Sequence, residues 1–311
     1  MGPDPEYLRL NRAWWDERVA IHAAGEFYDV DGFVEGRDTL LPFEDDLVGP
    51  VEGLDLVHLQ CHMGMDTLSW ARRGARVTGL DFSEPAIEVA RGLAERIGAD
   101  ARFEVADVYD AVEVLDGRFD LTYQSLGSIN WHPDMDRWAG ILFQLTRPGG
   151  RYVLNEGHPM TWVLDDDGDR VERSYFGSAD GTRFDDAGTY ADLGAATVQN
   201  ETIEFPHPLS EVIGALIGAG FALERFVEHP FTVFPAWPWL EERDEPFRTW
   251  WAPDDRPSLP LMYSVVARRP ACGVVGRVGR WPGPTPSTSG STRPRGTSRT
   301  SSGARGPTSP R

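Results

Sequence analysis

The segment HLQCHMGMDT, residues 58–67, places His58, Cys61 and His62 within five positions. Imidazole nitrogens and a thiolate are common zinc ligands, so metal chemistry is the first to test. A closed structural site needs four ligands, generally supplied as two pairs that the fold brings together. The chain offers no second Cys/His pair, because Cys272 is remote and the other histidines are scattered singly. Side chains alternate along a strand, so His58 and Cys61 would also point to opposite faces. No metal is expected, and His58 reads as a hydrogen-bonded core histidine.

The same residues make better sense as a turn. An apolar run at 57–60 reads as a buried strand, and Asp66 or Thr67 can cap a helix carrying Leu68, Trp70 and Ala71. Gly64 leaves room for a ligand to approach the loop backbone, and the helix N-terminus would favour an anionic group. A second strand follows at 75–80 and ends at Asp81, whose carboxylate could accept hydrogen bonds from ribose hydroxyls. Ser83 and Pro85 then open a helix with Ile87, Ala90, Leu93, Ala94 and Ile97 on one face. A third strand at 101–107 ends on Asp107, within reach of an adenine amino group. Strands at 119–125 and 151–155 flank a helix bearing Trp138, Ile141, Leu142 and Leu145. Such alternation predicts an α/β fold whose parallel sheet carries helices on both faces, with ligands at the carboxyl ends of the strands.

Composition narrows the ligands further. The net charge is −19, yet residues 270–311 hold seven Arg and no acid. Without those seven, 23 basic residues face 49 acidic ones, so the rest of the chain stands at −26. A surface that negative repels phosphate backbones and anionic headgroups, so neither nucleic acid nor membrane is expected as a partner. A polar N-terminus, no long apolar run and two cysteines point to the cytoplasm. Residues 270–311 are rich in Pro, Gly, Ser, Thr and Arg and are expected to be disordered. A dinucleotide fingerprint needs three glycines and a phosphate-binding loop of the Walker type needs a Lys. The turn QCHMG has one glycine and the chain has no Lys, so adenosine without phosphate fits best. S-adenosylmethionine is such a ligand.

The segments VHLQCHMG (57–64), VTGLDFSEPAIEVAR (77–91), FEVADVYD (103–110) and RPGGRYVL (147–154) together resemble the motifs of class I S-adenosylmethionine-dependent methyltransferases. The resemblance implies a Rossmann-like three-layer sandwich, a seven-stranded mostly parallel sheet with the last strand antiparallel. It also implies that Gln60, Cys61, His62, Gly64, Asp66 and Thr67 meet the donor at the first turn. Asp81 would take the ribose, Phe82, Asp107 and Val108 the base, and Gln124 with Ser125 would lie near the methyl group. Gln60 and His62 depart from the Gly-Cys-Gly-x-Gly pattern usual at this loop.

The chain thus divides into an N-terminal helical cap (1–50), a methyltransferase domain (51–269) with an insertion at about 160–205, and the tail. The activity expected is methyl transfer to a small organic acceptor by in-line displacement; the loops after the fourth and fifth strands would supply a base for an O-acceptor. Those loops hold His132 and His158, with His158 favoured and Glu156 able to orient one of them. Trp14, Trp15 and Tyr28 belong to the segment expected to close over the donor, one tryptophan packing inward and the other lining the pocket. A nucleotide-dependent oxidoreductase and a non-catalytic S-adenosylmethionine-binding protein are the alternatives.

Overall fold

The central strand β1 (Asp55–Leu59) forms because Leu56, Val57 and Leu59 must leave water on both faces of a sheet. In the computed structural model, which describes residues 5–243 and 248–271, it lies in a seven-stranded sheet. It pairs in parallel with β2 (Arg76–Asp81) and β4 (Phe119–Gln124), beyond which lie β3 (Ala101–Val105), parallel to β2, and β5 (Thr146–Gly157), parallel to β4. A hairpin of β6 (Thr182–Asp185) and β7 (Glu201–Glu204) stands apart from that sheet. After β8 (Ala222–His229) comes a small sheet of β9 (Phe231–Thr232), β10 (Glu241–Arg243) and β11 (Thr249–Trp251). The last strand, β12 (Met262–Arg268), runs antiparallel between β5 and β8, giving the order β3-β2-β1-β4-β5-β12-β8. Chain order reverses between β1 and β4, where a crevice opens at the strands' carboxyl ends.

Helices α1 (Glu6–Ala24), α2 (Val30–Val34) and α3 (Pro42–Val48) precede the sheet. α4 (Met65–Arg72) and α5 (Glu84–Ile97) follow β1 and β2, with the short α6 (Ala111–Val114) after β3. α7 (Met135–Leu145) precedes β5, the short α8 (Met160–Val163) follows it, and α9 (Leu209–Ala219) leads into β8. Along β1 and β4 alternate side chains serve opposite cores. Leu56, Leu121 and Tyr123 pack with Trp70 on one face, while Val57 and Leu59 pack with Trp138 and Leu142 on the other.

The expected cap holds for α5, where Ser83 accepts from Ala86 N at 3.3 Å; Gly98, with φ 66°, closes the helix. For α4 the cap is Gly64, with φ 72°, two residues before Asp66 and three before Thr67. The fifth strand, expected at 151–155, takes in Pro148-Gly149-Gly150 as well: β5 starts at Thr146 and takes a register shift against β4. Among the described residues no helix is long and apolar enough to cross a membrane. The tail expectation for 272–311, and Cys272 with it, lies outside the described residues.

Candidate functional site

At the carboxyl ends of β1, β2, β4 and β5 lies a cavity of about 670 Å³. Its floor is the first turn, residues 60–66, with Asp81, Phe82 and Ser125; its roof brings Trp14 and Trp15 of α1 together with Tyr28 and Tyr190. A slot lined by Phe82, Ala106, Asp107, Val108, Trp131 and His132 adjoins it and shares Gln60, Phe82 and Trp131 with it. Both tryptophans of α1 therefore line the cavity, where only one was expected to.

The turn holds an unusual backbone. Gln60 and His62 have φ of 57° and 48°, a left-handed conformation that ordinarily favours glycine. Gln60 is fixed by its side chain: Oε1 accepts from Gln124 Nε2 at 2.7 Å and His132 Nε2 at 2.9 Å, and Nε2 donates to Ser128 O at 2.9 Å. His62 N donates to Asp81 Oδ2 at 2.8 Å, and Ser83 N donates to Asp81 Oδ1 at 2.9 Å. Burial pushes the Asp81 carboxyl up to about 6, against the pull of those two amides. Each of its oxygens keeps a second lone pair, so a diol could still donate to it. Asp107 accepts from Tyr109 N at 2.7 Å, and burial raises it too. Asp66 is raised by burial, with the hydroxyls of Thr39 and Ser125 opposing.

Other residues of the expected donor set face elsewhere. A Cβ on Gly64 would stand 2.7 Å from the Phe103 ring and 2.8 Å from Ala90 Cβ, so this glycine lets the loop meet α5 and β3 rather than a ligand. Thr67 is fully buried, its hydroxyl 2.8 Å from His58 Nδ1, while His58 Nε2 is 3.1 Å from Ser125 Oγ. His58 is thus the bonded core histidine that its strand position implied, and burial pushes its pKa down to about 3. Gln124 is engaged in the core, where Trp138 Nε1 and Tyr152 OH donate to its Oε1 at 3.0 and 2.8 Å. Cys61 lines the cavity as a buried thiol whose pKa burial raises well above its ordinary value.

The two catalytic histidines need correction. His158 is 3% exposed and is absent from the cavity wall although Gly157 and Pro159 are on it. Its Nδ1 accepts from Met160 N at 3.1 Å and its Nε2 lies 3.1 Å from Glu228 Oε1, so neither nitrogen faces an acceptor. His132 faces the slot on the Asp107 side, is tied to Gln60, and has its pKa pushed down to about 3 by burial. Glu156 orients neither of them. It accepts from the amides of Gly127, Ser128 and Ile129 at 2.8, 2.8 and 3.0 Å and so orders the loop after β4.

Two cavity carboxylates had no sequence signal. Glu44 accepts from Leu41 N at 2.8 Å, Asn155 Nδ2 at 2.9 Å and the Tyr123 hydroxyl, and burial raises it to about 7. Glu204 accepts from Asn130 Nδ2 at 2.6 Å and is likewise raised to about 7 by burial. Both come from segments outside the strand-helix repeat, where nothing in the local pattern marks a cavity. Among the described residues no group of three or more His, Cys, Asp or Glu could hold a metal ion.

The slot has a free volume of only about 10 Å³, so the larger cavity, with Asp81 at the end of β2 on its floor, holds the space for ligands. Among known proteins, residues 57–150 match the model of a methyltransferase domain. Over that stretch the chain carries a methyltransferase domain. A ubiquinone biosynthesis O-methyltransferase of a Methylobacterium species is 30% identical over 47% of this chain and 59% of its own length. A demethylmenaquinone methyltransferase of Thermus thermophilus is 38% identical over 28% of this chain and 38% of its own. The chain therefore spans less than two thirds of these curated relatives. An S-adenosylmethionine-dependent methyltransferase structure from Mesorhizobium loti superposes with a TM-score of 0.52 at 25% identity, over 77% of this chain and all of that one. In this methyltransferase domain the matched stretch contains the whole floor of the cavity up to β5, but neither α1 nor the stretch around Tyr190.

Proposed function

We propose that the chain transfers a methyl group from S-adenosylmethionine to a small organic acceptor in the cytoplasm. The observation that carries this reading is the cavity's size and place. About 670 Å³ at the carboxyl ends of the strands, with Asp81 on its floor, is enough for a donor on that floor and an acceptor under the roof. When bound, the donor supplies a methyl group already activated by its sulfonium charge. Asp81 would accept from the ribose, Phe82 and Val108 would bracket the base, and residues 60–62 with Asp66 would hold the amino-acid end. The residues' main task is then to exclude water and hold the acceptor in line with the bond that breaks. Trp14, Trp15, Trp131 and Tyr190 supply the apolar cover for that. The curated relatives named ubiquinone biosynthesis O-methyltransferases support an oxygen acceptor, and no buried histidine is assigned as its base.

Calorimetric titration tests the donor half. S-adenosylhomocysteine should give heat with micromolar affinity and NAD none. Heat from NAD alone would overturn the reading. A labelled-methyl assay against hydroxylated aromatic and aliphatic acceptors tests the transfer half; binding without transfer to any of them would leave a non-catalytic donor-binding protein.

A further inference from the structure

His62 is left unexplained by donor binding alone. It keeps a left-handed φ of 48°, a conformation that strains any residue but glycine. Its side chain points away from β4, toward the roof. His62 Nε2 lies 2.9 Å from His22 Nδ1 on α1, and His22 Nε2 lies 2.7 Å from Thr189 Oγ1. The Trp15 ring meets the His62 ring edge-on with centroids 5.2 Å apart. Beside the pair the Tyr28 and Tyr190 hydroxyls bond to each other.

One turn before His22, Arg18 is fully buried and donates to the carbonyls of Gly188 and Gln199 at 2.8 Å each and of Asp186 at 3.2 Å. Helix α1 and residues 186–199 are thereby stitched into one roof. The histidine pair is where that roof grips the donor loop. The same His62 donates its backbone N–H to Asp81, the acid at the end of β2. Roof and ribose acid thus meet in a single residue.

We propose that His62 is a positioning residue that couples closure of the roof to formation of the donor site. The inference rests on the donor reading above. Glycine at this position would relieve the backbone but remove the handle, so donor binding would no longer order the roof. The groups facing the pair are Arg18 from α1, Tyr28, Tyr190 beside Thr189, and Asp81 from β2. Burial holds His22 at about 4 and His62 at about 3, with Arg18 pressing His22 down as well. An opened roof returns both toward 6.5, so it binds protons more readily, and closure is complete above that value and weakens as the pH falls below it.

The test measures S-adenosylhomocysteine affinity by calorimetry and hydrogen exchange of residues 186–199, in the full chain and in His62→Gly, His62→Gln and His22→Leu. His62→Gly should bind at least tenfold more weakly, and ligand should no longer slow exchange in 186–199. His62→Gln, which keeps a polar atom near the Nε2 position, should recover most of both, and His22→Leu should match His62→Gly without touching the loop. Wild-type affinity together with ligand-dependent protection in both His62→Gly and His22→Leu would overturn the proposal. If the wild-type chain gives no heat, the donor reading fails instead. The tie is then judged without ligand: faster exchange of 186–199 in His62→Gly but not His62→Gln supports it, and unchanged exchange overturns it.

Discussion

The floor of the cavity is made by strand ends and turns between residues 55 and 157, whereas the roof joins α1 to a stretch some 170 positions later in sequence. The two differ in what holds them. Both contain buried polar ties, Gln60 and Glu156 in the floor among them, but the floor adds close apolar packing: Gly64 against Phe103 and Ala90, and β1 buried on both faces. The roof rests on a few buried polar side chains, Arg18, Asn11 and His22, that reach backbone or hydroxyl groups of the other segment. Packing distributes its stabilisation over many contacts, while a polar stitch concentrates it in one side chain whose loss leaves its partners unsatisfied. The floor should accordingly fail as a whole, and the roof should fail locally.

The largest expected effect is on the floor. Gly64→Ala would set a methyl 2.7 Å from the Phe103 ring in a residue at φ 72°, combining overpacking with a left-handed penalty. About 4 kcal/mol of global stability should be lost, read as a drop in the denaturant midpoint common to all probes. Gly127→Ala is the control: φ is 74° but nothing lies within 4 Å, so only about 1 kcal/mol is at stake. Equal costs at the two sites would refute the packing account.

Arg18→Ala should cost about 3 kcal/mol, since three backbone carbonyls lose their donor inside the roof. Here the loss should be regional. Exchange should quicken in α1 and 186–199, while β1, β2 and β4 keep their protection. Uniform loss of protection across the sheet would mean that roof and floor are one cooperative unit.

The same contrast explains what the sequence revealed. Period and punctuation mark β1 to β5, α4, α5 and α7, because nearly all of them bury an apolar stripe, although the expected caps held only at α5. Asp81 was legible because it is the last residue of β2, a definite place in a parallel sheet, whereas Asp107 lies two residues beyond β3, which ends at Val105 and not at 107. His158 and His132 misled because residue type and loop position say nothing of which way an imidazole turns once Glu228 or Gln60 offers it a partner. Gly64 misled in a related way, since the space a glycine leaves can be filled by a neighbouring ring as well as by a ligand. Glu44, Glu204 and Tyr190 were not marked at all, because long-range tertiary contact, not local pattern, puts them on the cavity.

The smallest effect tests the junction, where Glu44 of α3 meets floor residues Tyr123 and Asn155. Burial and the charge of Asp66 raise its carboxyl to about 7, outweighing the donors Leu41 N, Tyr123 and Asn155. A carboxyl raised in the folded state stabilises below its ordinary value near 4.5, and that contribution is lost as the pH climbs toward 7. Glu44→Gln cannot ionise, keeps one acceptor oxygen for Tyr123 and Asn155, and gives up the bond from Leu41 N for about 1 kcal/mol. Its melting temperature should therefore lie below wild type at pH near 5, with the deficit shrinking or reversing near 8. Asp81, raised to about 6, moves stability in the same sense but is common to both proteins and cancels in the difference. A deficit that widens with pH would mean that Glu44 is held ionised by its donors, and that the junction, like the roof, is a polar stitch rather than packed floor.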